Sequence, residues 1–218
     1  MAKVLLGVTG SVAAIKTPEL YAALHQAGHD VKIIATQASL YFFDPVSIDP
    51  IRTERNPERV ILDADEWPGR DQGRLAQRGD FVLHIELRKW ADLLLIAPLD
   101  ANTLAKLANG MADNCLTCVY RAWDMKRPIV MAPAMNTLMW EHPVTDRHLL
   151  QLAADIGGFP PQMQLCESGV ISWINSANGR FHIVPPQSKK LFCGDVGVGA
   201  MAEITDIVAA VSEMLKRA

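Results

Sequence analysis

The chain has 218 residues, half of them apolar and 21% charged, with a formal net charge of −3. That length suits one domain, residues 1–218, with a full hydrophobic core, and the slightly acidic balance argues against a nucleic-acid partner. No apolar run reaches the roughly 18 residues of a membrane span. The four cysteines form no disulfide framework for a domain of this size, so a cytoplasmic setting is expected, and no metal site is read.

Residues 3–8 (KVLLGV) read as a first strand that leaves into Thr9-Gly10-Ser11-Val12, before a helix over 18–27 that Gly28 ends. Strand, small-residue turn and helix together present backbone N–H groups to an anion. Glycine occurs only at Gly7 and Gly10, so this is not the GxGxxG dinucleotide fingerprint, and a tight turn without a ligand is the competing reading. Residues 30–35 (DVKIIA) give a second strand, followed by the polar turn Thr36-Gln37-Ala38-Ser39. Residues 44–80 are rich in proline, glycine and charge and predict a solvated surface excursion with no chemistry in its charges. His84 follows at the start of an amphipathic segment, where a histidine is ordinarily structural.

Two apolar runs come next. Residues 93–97 (LLLIA) break into Pro98-Leu99-Asp100-Ala101-Asn102-Thr103, and residues 129–132 (IVMA) break into Pro133-Ala134-Met135-Asn136. Uninterrupted apolar runs predict strands buried on both faces, as in a parallel sheet covered by helices. The fold class is therefore α/β, a Rossmann-like (flavodoxin-like) three-layer sandwich. Ligands in such sheets lie beyond the carboxyl ends of the strands, where these turns fall; capping of the following helices is the alternative for either turn alone. Cys115 and Cys118 have redox spacing but sit inside the helical periodicity of 113–123, so they read as buried helix cysteines. Residues 159–180 lack a clear period and predict an inserted loop or flap, with a flexible insertion at 160–180. A short edge strand over 181–184, a glycine-rich loop over 189–201 (KKLFCGDVGVGAM) and an amphipathic helix over 202–216 complete the chain.

The motifs PLDANT (98–103) and PAMNTLMW (133–140), with HIELRKWAD (84–92), the GSVAA turn and the LFCGDVGVGAM loop, occur here in one order. In this the chain resembles the flavin-containing cysteine decarboxylases, and within them the branch acting on 4'-phosphopantothenoyl-L-cysteine to give 4'-phosphopantetheine in coenzyme A synthesis. The resemblance implies FMN as cofactor, a homotrimer with no nucleic-acid or membrane partner, and a substrate clamp at 189–201. It assigns FMN contacts to Gly10, Ser11 and Val12; to Thr36, Gln37 and Ala38, where the family's usual Lys-Ser is here Gln37-Ala38; to Asp100, Ala101, Asn102 and Thr103; and to Ala134. It assigns the catalytic roles to His84 and Cys193, and substrate contacts to Asn136, Met139, Lys190, Phe192 and Met201.

The implied chemistry suits these residue types. A simple cysteine carboxylate has nowhere to place the electron pair left by CO2, and an acylated amine cannot form a pyridoxal adduct. Oxidation at the carbon bearing sulfur gives a thioaldehyde beta to the carboxylate, and loss of CO2 then yields an enethiolate. A histidine of ordinary pKa about 6.5 exchanges protons near neutrality. An asparagine holds a carboxylate without adding like charge, and a thiol of pKa about 8.5 is a ready proton donor at pH 7. Two other functions are weighed. Regulatory relatives that bind a protein phosphatase carry long extensions and an acidic tail, whereas this chain ends MLKRA. Decarboxylases of peptide C-terminal cysteines lack a cysteine in the clamp.

Overall fold

The computed structural model describes residues 1–50, 59–67, 69–75, 77–157, 167–177, 179–190, 194 and 196–217. Among them six strands form one parallel sheet: β1 (Lys3–Val8), β2 (Asp30–Ala35), β3 (Val60–Leu62), β4 (Leu93–Leu99), β5 (Ile129–Pro133) and β6 (Phe181–Ile183), in the order β3-β2-β1-β4-β5-β6. This is the dinucleotide-fold order. Without the three-residue edge strand β3 the remaining five renumber to the flavodoxin-like order 2-1-3-4-5, so the fold class read from the sequence is the one observed.

Alternation along each strand sends side chains to two separate cores. Val4, Leu6 and Val8 of β1 and Leu93, Leu95 and Ala97 of β4 pack on one face against α1 (Thr17–Gln26) and the C-terminal helix, Ile204–Arg217. Leu5, Leu94, Ile96, Ile129 and Met131 pack on the other. That second face is covered by α2 (Leu83–Trp90), α3 (Ala101–Ala108), α4 (Cys115–Arg121), the short α5 (Thr137–Trp140), α6 (Pro143–Gly157) and α7 (Glu167–Ala177). The C-terminal helix is α8. The chain leaves β1 in one direction for β2 and β3, then in the other for β4 to β6, which makes the β1/β4 border the switch point.

Three sequence expectations change. The 44–80 excursion contains β3 and the 3-10 turn Asp63–Glu66, with Asp65 and Glu66 buried. Part of the 159–180 segment, expected to be an inserted loop or flap, is helix α7, whose Val170, Ile171 and Ile174 enter the core. Asn175 of α7 also closes the sheet edge: its Nδ2 donates to Ile183 O at 2.9 Å and its Oδ1 accepts from Ile183 N at 2.7 Å. Such pairing hides an edge that would otherwise offer unpaired backbone groups. The glycine-rich loop of 189–201 is in large part an antiparallel ribbon, β7 (Gln187–Lys190) with β8 (Val196–Ala200).

Burial pulls the rings of His29, His148 and His182 below the ordinary histidine pKa; nearby positive charge adds to the effect at His29 and His148, whereas at His182 the Glu213 carboxylate opposes it. The unfolded chain then binds protons at a pH where these folded rings stay neutral, so stability is present above about pH 6.5 and lost as pH falls below it. We expect the urea midpoint to be lower at about pH 5.5 than at about pH 7.5. His182→Gln should make that dependence shallower; an unchanged slope would remove His182 from the account.

Candidate active site

Four turns leave the carboxyl ends of β1, β2, β4 and β5, and three of them meet at Gly10. A Cβ built there would lie 2.6 Å from the Ala38 Cβ and 3.2 Å from Asp100 Oδ2, so only glycine allows this approach. The first and third turns are also joined by Thr9, a fully buried residue. Its hydroxyl donates to Pro98 O at 2.8 Å and accepts from Asp100 N at 2.7 Å. The second turn is held to β1 by Thr36, whose N–H and hydroxyl both donate to Val8 O, at 3.0 and 3.2 Å. Ser11 accepts from Ala13 N at 3.4 Å, and Val12 starts a 3-10 turn, Val12–Lys16.

Asp100 is the N-cap of α3, its Oδ1 accepting from Thr103 N at 2.7 Å. Thr103 is buried and Asn102 exposed. Ala134, 2% exposed, donates its N–H to Leu99 O at 2.9 Å and so brings the fourth turn beside the third. Asn136 caps α5 by accepting from Leu138 N at 2.9 Å, leaving Leu138 and Met139 on the surface. The capping and ligand-binding readings of these turns are compatible: Asp100 and Asn136 cap helices, and the same turns stand together at the carboxyl edge of the sheet.

The β7–β8 ribbon docks on the fourth turn through backbone. Met135 N donates to Gly199 O at 2.9 Å. Gly199 has φ +144°, and a Cβ there would fall 2.3 Å from Met135 O, so no other residue fits without moving the strand. Met201, at the foot of the ribbon, is buried with Val184 and Ile204 in the core on the α8 face. Lys190 ends β7; its side chain, Phe192 and Cys193 lie outside the described residues.

His84 stands in the first turn of α2 and is tied to a residue absent from the sequence-level site, Glu66. Glu66 Oε2 accepts from His84 N at 3.0 Å, and Oε1 lies 2.5 Å from His84 Nδ1. The Glu66 side chain is 2% exposed. One turn earlier Asp63 accepts from Gln37 N at 3.1 Å and from Cys115 N at 3.3 Å, so the excursion reaches the second turn of the cradle. Burial lifts the Asp63 carboxyl above its usual range against the pull of those two N–H groups. The far end of α2 is held by Arg127, which stacks on Trp123 and donates to Ala91 O at 2.5 Å and Arg88 O at 2.7 Å. A groove of about 520 Å³ lined by Glu66, Trp67, Arg70, Phe81 and Val82 opens alongside. Burial, reinforced by the Glu66 carboxylate, pushes the thiols of Cys115 and Cys118 up, which keeps them protonated and unsuited to a redox role.

Gly10→Val is expected to force the first and second turns apart, at a cost of about 1–3 kcal/mol for overpacking. Flavin retained through purification should fall at least about tenfold, read as flavin absorbance per protein. Ala38→Gly in the same chain should recover part of the loss, and full flavin content in the single variant would show that the three turns do not form the cradle.

The family model described as Flavoprotein matches residues 1–216. Phosphopantothenoylcysteine decarboxylase from Mus musculus is 44% identical over 216 residues, spanning 99% of this chain and 88% of that protein. A solved PPC decarboxylase in which a cysteine is replaced by serine, complexed with pantothenoylaminoethenethiol, superposes with a TM-score of 0.75 at 41% identity, covering 99% of this chain and 98% of that one. The FMN-binding protein AtHal3 superposes with a TM-score of 0.72 at 42% identity, covering 100% of this chain and 98% of that one. With turn cradle, ribbon and full-length similarity in agreement, the chain belongs to the Flavoprotein family, in its phosphopantothenoylcysteine decarboxylase branch.

Proposed function

We propose that this protein catalyses the FMN-dependent oxidative decarboxylation of 4'-phosphopantothenoyl-L-cysteine to 4'-phosphopantetheine in coenzyme A biosynthesis, as a cytoplasmic homotrimer. The observation that carries the reading is the seating of the Met135-Asn136 turn under Gly199, because it sets the candidate substrate residue beneath the ribbon that leads to Cys193. The solved relative complexed with an enethiol supports the substrate class.

The residues present fit FMN. The first, second and third turns close on one another at Gly10, where a Cβ would strike Ala38, and the surrounding Ser11, Val12, Thr36, Gln37, Ala38, Asp100, Ala101, Asn102 and Thr103 are small or polar, with Ala134 closing the edge. Bound FMN supplies a two-electron acceptor for the carbon bearing sulfur and later returns the electrons. The chain's own residues handle the rest. His84 exchanges the proton on substrate sulfur. The Asn136 side chain, oriented by its bond to Leu138 N, contributes an amide donor toward the carboxylate. Cys193 donates the late proton that reduction of the enethiol requires. Lys190, Phe192, Met139 and Met201 contact the substrate, Met201 from a buried position at the foot of the clamp. Positioned acid–base groups of this kind contribute roughly 10²–10⁴-fold each.

The test is one reaction mixture. Purified protein should carry flavin absorbance and release CO2 from 4'-phosphopantothenoylcysteine. Cys193→Ser should still release CO2, because hydride transfer and decarboxylation use no proton from that position. Its product should be the enethiol, lighter than phosphopantetheine by two hydrogens on mass spectrometry; fully reduced product at near-parent rate would sink the assignment.

Assembly has a separate readout. Leu138 is 73% and Met139 49% exposed beside the site, apolar surface that suits a shared boundary. Light scattering should give three times the 24.0 kDa chain mass, and a stable flavin-bound monomer would exclude the trimer.

A further inference from the structure

We propose that Glu66 is a positioning residue for His84, holding the imidazole as its Nδ1–H tautomer so that Nε2 keeps the lone pair that accepts the substrate proton. The inference rests on reading this site as a cysteine decarboxylase.

Glu66 is a carboxylate buried to 3% exposure, and a charge in that position must be matched by donors. Two of its donors come from one residue. Oε2 takes the His84 backbone N–H and Oε1 takes the ring at Nδ1. An ionised carboxylate only accepts, so Nδ1 must carry the hydrogen, and the neutral ring is left as an acceptor at Nε2 alone. Because main chain and ring are both gripped, the side-chain torsions of His84 are fixed along with its tautomer. The His84 side chain nonetheless keeps 19% exposure.

Glu66 is itself well anchored. It ends the 3-10 turn Asp63–Glu66, and Asp63 is bonded to Gln37 N in the second cradle turn and to Cys115 N at the start of α4. The proton acceptor is thereby set in register with the cofactor cradle through four residues of the charged excursion. In the step served, the substrate S–H bond breaks, its electron pair stays on sulfur, and the hydrogen forms the Nε2–H bond. The resulting imidazolium rests against the Glu66 carboxylate, and no other reactant is needed.

Glu66→Gln tests this with little change of shape. A carboxamide replaces one of the two carboxylate oxygens by an NH2, so the two His84 N–H groups no longer each meet an acceptor oxygen; one bond is lost, and an NH2 facing Nδ1 selects the other tautomer. The expected result is a fall in kcat per bound flavin of roughly 10²–10⁴-fold, with KM within about threefold of the parent. A merely structural Glu66 would instead lower thermal stability and flavin content while kcat per bound flavin stayed near the parent value, which would overturn the proposal. Nitrogen-15 NMR of the histidine-labelled parent at about pH 8, assigned with His84→Asn, reads the tautomer without turnover. A protonated Nδ1 is expected, and a protonated Nε2 would overturn the proposal even if no variant folds. Failure of the parent to release CO2 would strike the proposed function, while the tautomer measurement would still decide the role of Glu66.

Discussion

The Thr9 hydroxyl joins β1 to β4 at the place where the chain reverses its direction of travel across the sheet. It donates to Pro98 O and accepts from Asp100 N, at full burial. A hydroxyl can serve in both senses at once, which valine, its near isostere, cannot. The bond pair fixes where Asp100 begins α3, and Asp100 in turn fixes how closely Gly10 can pass. The turns after β2 and β5 are then hung from the same two strands by Val8 O and Leu99 O. Replacing Thr9 by valine would leave the buried Pro98 O without this partner, at a cost of about 1–3 kcal/mol, and would free the half-buried Asp100 N–H as well.

The central strands were legible because burial on both faces requires apolar residues throughout, and β1, β4 and β5 satisfy that requirement almost without exception. The three-residue β3 carries too little pattern to read, and it lies in a segment dominated by charge. Helix α7 was hidden differently. Val170, Ile171 and Ile174 do have helical spacing, but they stand among serine, glycine and asparagine that argue for a loop. Tertiary packing against α6 and the Asn175 bonds to β6 outweighed those weak local preferences.

The site divides along the same line. Gly10, Asp100, Ala134 and Asn136 stand in short turns just after apolar runs, so their position on the sheet edge follows from the strand reading. Glu66 does not. Its neighbours Asp63, Asp65 and Arg70 give it the look of a solvated charge, and only the fold discloses that it is buried against a residue 18 positions later in sequence. Aspartate, glutamate and arginine are seldom fully buried unless paired, so composition favoured the surface reading. A signal was nonetheless present: the acidic run DADEW sits directly after the apolar Val60-Ile61-Leu62, the position where β1, β2, β4 and β5 enter a ligand-edge turn.

The ribbon is attached to the scaffold by main chain. Met135 N bonds to Gly199 O, and the contact surface on that side is a glycine with no side chain to match. An attachment of this kind does not depend on the Met135 side chain, while Val198 of the same strand adds packing against the core. The architecture thus separates two demands: one part of the chain keeps the cradle assembled, while the hairpin keeps its seat on the fourth turn through main chain that a substitution at Met135 would leave in place.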